Sequence, residues 1–230
     1  MTVRVLSAGA CKGLVGSLAG GFTVTTGEAI DGFFSAVGAI RERFEGGAPC
    51  DVLILTLKQL NELEAEGRVR PGSVAPIGTV RTAVAVPAGH PVPDISTSAA
   101  FAATMRAASA VFIPDPFKST AGIHVLSVLQ MLGLADDMAS KLRAFPNGET
   151  AMHMLAEEAP SGGIGTTQTT EILYTKGLTL VGPLPPVHDL STVYAACVSA
   201  TAEAPDAAAA FVTTLTRPEN ENHRRQSGFE

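Results

Sequence analysis

The chain has 230 residues, of which 46% are hydrophobic and 17% charged, and its formal net charge is −6. This composition excludes a disordered chain, and the length allows one large domain or two lobes of about a hundred residues each. The negative charge and the lack of a basic run exclude nucleic acid and an anionic membrane surface as expected partners. A small anionic ligand remains compatible, because the electrostatic field of a binding site is local. No apolar run reaches the roughly eighteen residues of a membrane span, so no membrane insertion is expected.

Cysteine and histidine usage bears on cofactors and on the cellular compartment. Cys11, Cys50 and Cys197 lack metal-ligand spacing and are odd in number, so we expect reduced thiols. The histidines are equally scattered, and no nucleophile elbow, phosphate loop or dinucleotide fingerprint is present. The sequence therefore predicts no metal and no cofactor. A direct start in an apolar strand predicts a cytoplasmic protein, or a periplasmic one if a leader was removed.

Strands and helices alternate in the first part of the chain. We predict strands at 3–8, 22–25 and 50–55, a loop at 33–38, and helices at 13–20, 39–45 and 57–66. The strand at 50–55 is almost wholly apolar, as is typical of a strand buried on both faces. This rhythm predicts a parallel sheet with helices on both faces and a ligand beyond the carboxyl ends of the strands.

The second part of the chain repeats this alternation. A strand at 78–87 is interpreted as a crossing into a second lobe and the segment 192–198 as the return crossing. Between them we predict strands at 111–113, 162–167 and 178–181 and helices at 96–107, 122–132, 138–142, 150–158 and 169–173; a helical tail follows the return. The expected fold class is α/β, with two β/α lobes, residues 1–82 plus 194–230 and residues 83–193. In such a hinged clamp the ligand occupies a cleft between the lobes.

The stretch 113–124 is the clearest candidate for a ligand site. An apolar strand ends in a loop that opens a helix, and Lys118, Ser119 and Thr120 supply a positive charge and two hydroxyls beside the unpaired N–H groups of that helix. Gly122 would let the backbone approach a ligand closely. The alternative is an ordinary N-cap, in which Ser119 or Thr120 bonds to its own helix and Lys118 is merely solvated.

Several landmarks occur in the order expected of one family. They are the opening strand with its small-residue loop, the block 38–51 (GAIRERFEGGAPCD), Asp115-Pro116 followed by Ala121-Gly122, and the ending 228–230. On these residues the chain resembles, along nearly its whole length, the molybdate-type solute-binding proteins of the type II periplasmic-binding fold. The resemblance implies capture of a small anion and, if the chain is exported, delivery to an ABC permease.

The chain departs from the molybdate binders where they hold the oxyanion. Those proteins use a serine in the first loop and a serine pair before the glycine that corresponds to Gly38; here Ala10 and the pair Ala36-Val37 stand there. Each lost charge-assisted hydrogen bond would cost about 1.5–3 kcal/mol. We therefore do not expect molybdate as the ligand.

Later segments are more similar to a side branch of the family that includes aconitate isomerase. The matching segments are 165–173, 181–185 and 192–194, together with Asp115, Pro116, Lys118, Thr120, Gly122, Ile123 and His124. This resemblance implies an isomerase that moves a double bond in a small di- or tricarboxylate. The alternatives are the solute-binding component of an ABC importer and an intracellular ligand sensor.

Such a reaction needs a base, donors for a dienolate and an acid. Lys118 is the candidate catalytic base or carboxylate ligand. For Cys11 the alternatives are a reactive thiolate and a small buried residue, and for His124 they are a base and a packed residue. Tyr194 either covers the ligand or packs at the hinge. Asp51 is expected to be structural. The complete set of candidate ligand-binding residues is Ala10, Cys11, Lys12, Ser35, Val37, Lys118, Ser119, Thr120, Thr167, Gln168 and Tyr194.

Overall fold

A computed structural model describes residues 2–230. The chain divides into two compact units, the first comprising the chain up to Val80 together with Thr192–Glu230, the second Arg81–Ser191. The sequence-based boundaries, 82/83 and 193/194, each differ from these by two residues. No helix within residues 2–230 is both long enough and apolar enough to cross a membrane.

The strands are β1 (Thr2–Ala8), β2 (Ala29–Ser35), β3 (Val52–Thr56), β4 (Ala75–Pro87), β5 (Val111–Pro114), β6 (Leu142–Phe145), β7 (Ile164–Gln168), β8 (Leu178–Pro183) and β9 (Ser191–Val198). The helices are α1 (Lys12–Thr26), α2 (Val37–Glu45), α3 (Leu57–Ala65), α4 (Ser98–Ala107), α5 (Thr120–Met131), α6 (Ala135–Met138), α7 (Gly148–Glu158), α8 (Thr169–Tyr174), α9 (Pro205–Thr216) and α10 (Glu221–Gln226). Short 3-10 turns lie at Gly9–Cys11, Pro186–His188 and Pro218–Asn220.

The first unit is built on four neighbouring strands in the order β2-β1-β3-β9. The strands β2, β1 and β3 are parallel, and β9 runs antiparallel to β3. The strand β3 is buried throughout except at its last residue, as its unbroken apolar sequence predicts. Parallel β-loop-α connections place the starts of α1, α2 and α3 at one edge of this sheet.

Asp51 ties three segments of the first unit together. Its buried carboxylate accepts hydrogen bonds from the backbone N–H of Arg4 at 2.8 Å and of Glu203 at 2.7 Å, and from the Arg4 guanidinium at 3.0 Å. Burial alone would raise the pKa of Asp51, but these bonds outweigh it and hold the pKa below its ordinary value. The contacts support the structural role expected for this residue.

The predicted strand at 22–25 is wrong, because this segment is the last part of α1. Phe22 packs edge-to-face against Phe211 with ring centroids 5.0 Å apart, so burial against α9 overrides the strand preference of Phe-Thr-Val-Thr. The hydroxyls of Thr23, Thr25 and Thr26 bond to carbonyls one helical turn back. The strand lies instead at 29–35, and its last three residues fall in the segment predicted as a loop.

The second unit has strands in the order β4-β7-β5-β6, with β8 paired to β4. The strands β7, β5 and β6 are parallel, whereas β4 runs antiparallel to β7 and β8. One face of this sheet packs against α4 and α5, and the other against α7 and α8. Side chains that alternate along each strand therefore belong to two separate cores.

The predicted helix at 138–142 is also wrong. The helix α6 ends at Met138, and the chain then forms β6, a short strand missed in the sequence. Four residues are too few for periodicity to show. The strand is stabilised by pairing with β5 and by Phe145, whose ring stacks on Phe112 at 5.7 Å.

Candidate functional site

The first unit brings two predicted ligand segments to one edge of its sheet. The parallel pairing of β1 and β2 aligns Ala8 with Ser35, so both strands end side by side. The helices α1 and α2 begin there, and neither receives a side-chain cap from its N-cap residue, Cys11 or Ala36. Their first N–H groups therefore have no side-chain acceptor from the N-cap and give the edge a positive potential. The predicted residues gathered at this edge are Ala10, Cys11, Lys12, Ser35 and Val37.

Most of these side chains lie in the core of the first unit. Ala10, Cys11 and Val37 are buried and pack in its main hydrophobic cluster. The burial of Cys11 supports the small buried residue rather than the reactive thiolate. At Ala10 and Val37 only the main chain can supply a donor. Lys12 is the cation of this edge, and its Nζ lies 5.8 Å from the centre of the Phe34 ring.

Tyr194 lies in the first unit, on β9 opposite Thr56. It is 1% exposed and is among the largest fully buried side chains of this unit. This burial supports the packing alternative over a ring that covers a ligand.

In the second unit, the carboxyl ends of β5 and β7 lie next to each other. Their parallel register pairs Val111 with Ile164 and Phe112 with Gly165. Continued for three residues, the same register places Asp115, at the start of the loop to α5, beside Gln168 at the end of β7. The helix α5 packs against both strands. The start of α5 and Gln168 therefore share one edge of the sheet, as predicted for a ligand site of this topology.

The loop before α5 is held by its own aspartate. The Oδ1 atom of Asp115 accepts the N–H groups of Phe117 at 2.8 Å and of Lys118 at 3.1 Å, and its carbonyl accepts the N–H of Ser119. A Cβ on Gly122 would collide with the carbonyl oxygens of Pro114 and Asp115. Gly122 is thus needed for α5 to pack on its own loop. This role differs from the prediction that Gly122 lets the backbone approach a ligand closely.

Ser119 is the N-cap residue of α5, but its hydroxyl makes no capping hydrogen bond. By contrast, Thr56, Thr97 and Asn147 do cap α3, α4 and α7. The structure therefore does not show the Ser119 cap of the ordinary N-cap alternative. The start of α5 keeps its positive potential while a buried hydroxyl stands beside it.

Three buried polar side chains face the same side of the sheet as α5. Thr82, Thr166 and Gln168 are at most 2% exposed, and the Thr hydroxyls and both amide atoms of Gln168 have no hydrogen-bond partner among residues 2–230. Thr166 and Gln168 lie two and four residues after Ile164, hence on the same face of β7 as this residue of the α4–α5 core, and Thr82 pairs with Gln168 in register. Burial of such groups without partners costs about 1–3 kcal/mol each, so this row is a candidate set of ligand-binding groups.

Thr167 lies on the opposite face and serves a different purpose. Its hydroxyl donates to the carboxylate of Glu171, which is buried beside the start of α7. Burial raises the pKa of Glu171 to about 7, against the opposing effect of the hydrogen bonds from Thr167 and the Gln168 N–H. The predicted donor Thr167 is therefore committed to Glu171.

The two candidate bases have different surroundings. The Nε2 atom of His124 donates to the carbonyl oxygen of His188 at 2.7 Å, which ties α5 to the 3-10 turn at Pro186–His188. This bond supports the packed-residue alternative for His124. Lys118 is exposed, so burial does not desolvate its amine.

Sequence reasoning missed Thr82, Thr166 and Glu171. For Thr166 and Glu171 the available signal was the run of polar residues in the predicted strand 162–167 and just after it, where a buried strand should carry apolar side chains. For Thr82 it was a polar residue within the largely apolar predicted strand 78–87. Among residues 2–230, no group of three His, Cys, Asp or Glu side chains is placed to hold a metal ion.

A mixed α/β fold with uncapped helix starts and unpartnered buried polar groups on neighbouring strands is typical of a small-ligand-binding protein. More particularly, a family model described as bacterial extracellular solute-binding protein matches residues 3–230, and the chain belongs to this family.

Comparison with known proteins adds relatives to this assignment. The chain is 27% identical over 234 residues to an aconitate isomerase from Pseudomonas sp, covering 99% of this chain and 87% of the relative. The periplasmic molybdate-binding protein of Azotobacter vinelandii has a TM-score of 0.82 at 20% identity, over 99% of this chain and 98% of that one. The sulfate-binding protein SubI of Mycobacterium tuberculosis H37Rv has a TM-score of 0.77 at 16% identity, over 100% and 86%. These matches confirm the predicted type II periplasmic-binding fold class and the resemblance to molybdate-type solute-binding proteins.

Proposed function

We propose that this protein binds a small di- or tricarboxylate at the α5–β7 edge of the second unit and shifts a double bond within it. The observation that carries the proposal is the row of unpartnered buried donors formed by Thr82, Thr166 and Gln168 beside the uncapped start of α5. Gln168 and the hydroxyls offer neutral donors, and the helix start offers positive potential. A carboxylate uses all of these at once.

The similarity to an aconitate isomerase supports the isomerase reaction. In such a reaction a base removes an allylic proton, the electrons pass into a carboxylate-stabilised dienolate, and a proton returns to the other carbon. Atoms and electrons balance without a further reactant. Donors that meet the dienolate more strongly than the substrate would lower the barrier.

We assign distinct roles to the residues at this edge. Ser119, Thr120 and Gln168, with the N–H groups of α5, hold the carboxylate. Lys118 attracts it and, once a bound ligand excludes water from its amine, is the candidate that exchanges the proton. Lys12, with the N–H groups at the starts of α1 and α2, is proposed as a second source of positive potential. We assign no direct contact with the ligand to Thr167 or Tyr194.

The alternative function is delivery of a small anion to an ABC permease, as a solute-binding component. Membership of the extracellular solute-binding family favours it. The two functions share the binding step and differ in turnover. Absence of the serine pair, replaced by Ala36-Val37, argues for an organic anion over molybdate in both cases.

A thermal-shift screen tests the binding step. The ligands are cis- and trans-aconitate and other small carboxylates, with molybdate, tungstate and sulfate alongside. A ligand at a hundred times its Kd stabilises the folded protein by about 2.7 kcal/mol. We expect stabilisation by a carboxylate; stabilisation by the tetrahedral oxyanions alone would contradict the proposal. Proton NMR of the stabilising compound then separates turnover from simple binding.

Lys118→Ala tests the site, with Lys176→Ala as the matched exposed lysine of the same unit. We expect Lys118→Ala to weaken binding at least about tenfold, since a charge-assisted contact contributes about 1.5–3 kcal/mol. Lys176→Ala should bind as the wild type does. Equal affinity of both variants would overturn the assignment of Lys118.

A further inference from the structure

We infer that Glu171 is a positioning residue: it fixes the end of β7 and so sets where Gln168 presents its amide. The inference rests on the proposed function, because Gln168 is taken to be a ligand-binding residue. Glu171 itself lies away from the ligand face. Its contacts, on the far side of the strand, carry the argument.

The first contact is local to the start of α8. Gln168 is the N-cap of this helix and Glu171 is its third residue, so the pair has the spacing of a capping box. In that motif the carboxylate of the third residue lies near the backbone N–H of the N-cap residue, and the N–H of Gln168 accordingly acts to lower the pKa of Glu171, against the larger effect of burial. Gln168 makes no side-chain cap of its own helix, which leaves its amide available to a ligand.

The second contact fixes the residue before Gln168. The hydroxyl of Thr167 donates to Oε2 of Glu171. Because side chains alternate along β7, holding Thr167 toward α7 turns Gln168 toward α5. One carboxylate thus holds both the side chain of Thr167 and the main chain of Gln168.

The third contact anchors the carboxylate to a different helix. The backbone N–H of Glu149, in the first turn of α7, also acts to lower the pKa of Glu171, which places it near the carboxylate. A Cβ on Gly148 would collide with the Glu171 carboxylate and with the Thr167 hydroxyl, so only glycine lets α7 approach this closely. Glu171 therefore lies at the start of α7 as an internal hydrogen-bond acceptor.

The test uses Glu171→Gln, which keeps an acceptor, and Glu171→Leu, which has similar size and no acceptor. We expect the Gln variant to bind the stabilising carboxylate within about threefold of the wild type and the Leu variant to bind at least about tenfold more weakly. Hydrogen exchange in the ligand-free protein supplies a second readout. Exchange at the Gln168 and Glu149 amides should rise at least about tenfold in the Leu variant and stay near wild type in the Gln variant.

Two further variants keep the test decisive. Ile172→Val changes the next buried residue without touching the carboxylate, and should change neither affinity nor exchange at Gln168. Thr167→Val removes one donor and serves if the Leu variant does not fold; it should speed exchange at Gln168. Unchanged exchange in every folded variant at Glu171 or Thr167 would overturn the inference. If no carboxylate binds the wild type, the proposed function is wrong. The hydrogen-exchange measurements still test whether Glu171 fixes the end of β7.

Discussion

Replacing Thr166 by Val should strengthen the fold and weaken the site. The Thr166 hydroxyl is fully buried with no hydrogen-bond partner among residues 2–230, so it contributes an uncompensated desolvation cost of about 1–3 kcal/mol. Valine has nearly the same shape and removes that cost. In a chain of this length each kcal/mol raises the Tm by about 2–4 °C. The same change removes a donor to the bound carboxylate and should lower affinity about tenfold or more.

The matched control for this prediction is Thr175→Val. Thr175 is also a buried threonine of the second unit, but its hydroxyl donates to the carbonyl of Glu171 at 2.9 Å. Its loss should lower the Tm, by a net hydrogen-bond contribution of about 1 kcal/mol. Scanning calorimetry with and without ligand measures both effects. A Thr166→Val protein that is less stable than the wild type, or that binds ligand equally well, would refute the reasoning.

Three further perturbations test the fold and its pH dependence. Asp51→Ala should lower the free energy of unfolding by about 3–5 kcal/mol, measured by urea denaturation, because the Arg4 guanidinium and buried N–H groups lose their acceptor; a change below about 1 kcal/mol would contradict the role of Asp51. Glu171 has a raised pKa, so its contribution to stability is present below the ordinary value of 4.5 and is lost as pH rises through about 7. Between pH 5 and pH 8 the free energy of unfolding, measured by urea denaturation, should fall by about 2–3 kcal/mol more in the wild type than in Glu171→Gln. An equal pH dependence of the two proteins would contradict the raised pKa of Glu171. Gly122→Ala should lower the free energy of unfolding by about 1–3 kcal/mol through overpacking. Gly16→Ala, at a helical position with no atom near the added Cβ, should leave it unchanged or raise it. Equal melting temperatures of the two variants would contradict the packing argument.

The alternation of strands and helices could be read from the sequence because each buried strand carries an apolar run and each helix an apolar stripe. The strand at Val52–Thr56 and the helix that follows it show this most clearly. The segment 22–25 could not be assigned this way, because its local sequence favours a strand. The contact that holds Phe22 in a helix is made with Phe211, nearly two hundred residues away in the chain. Tertiary packing decided its conformation.

The candidate site was predictable at the start of α5 and only partly elsewhere. Proline, lysine and hydroxyl residues after an apolar strand marked the edge that Ser119 occupies. The sequence could not show that Thr166 and Gln168 face α5 while Thr167 faces Glu171, because that depends on the register of β7 against its neighbours. Nor could it show that Glu171 is buried, as a glutamate in a short helix is ordinarily solvated.

Calorimetric titration of the stabilising carboxylate into the wild type and into Gln168→Leu tests the central claim most directly. Leucine keeps much of the buried volume of Gln168 and removes both polar atoms of its amide, which are without partners among residues 2–230. The account predicts a folded variant that is at least as stable as the wild type without ligand and binds at least about tenfold more weakly. A folded Gln168→Leu protein with wild-type affinity would contradict the claim that the α5–β7 edge holds the ligand.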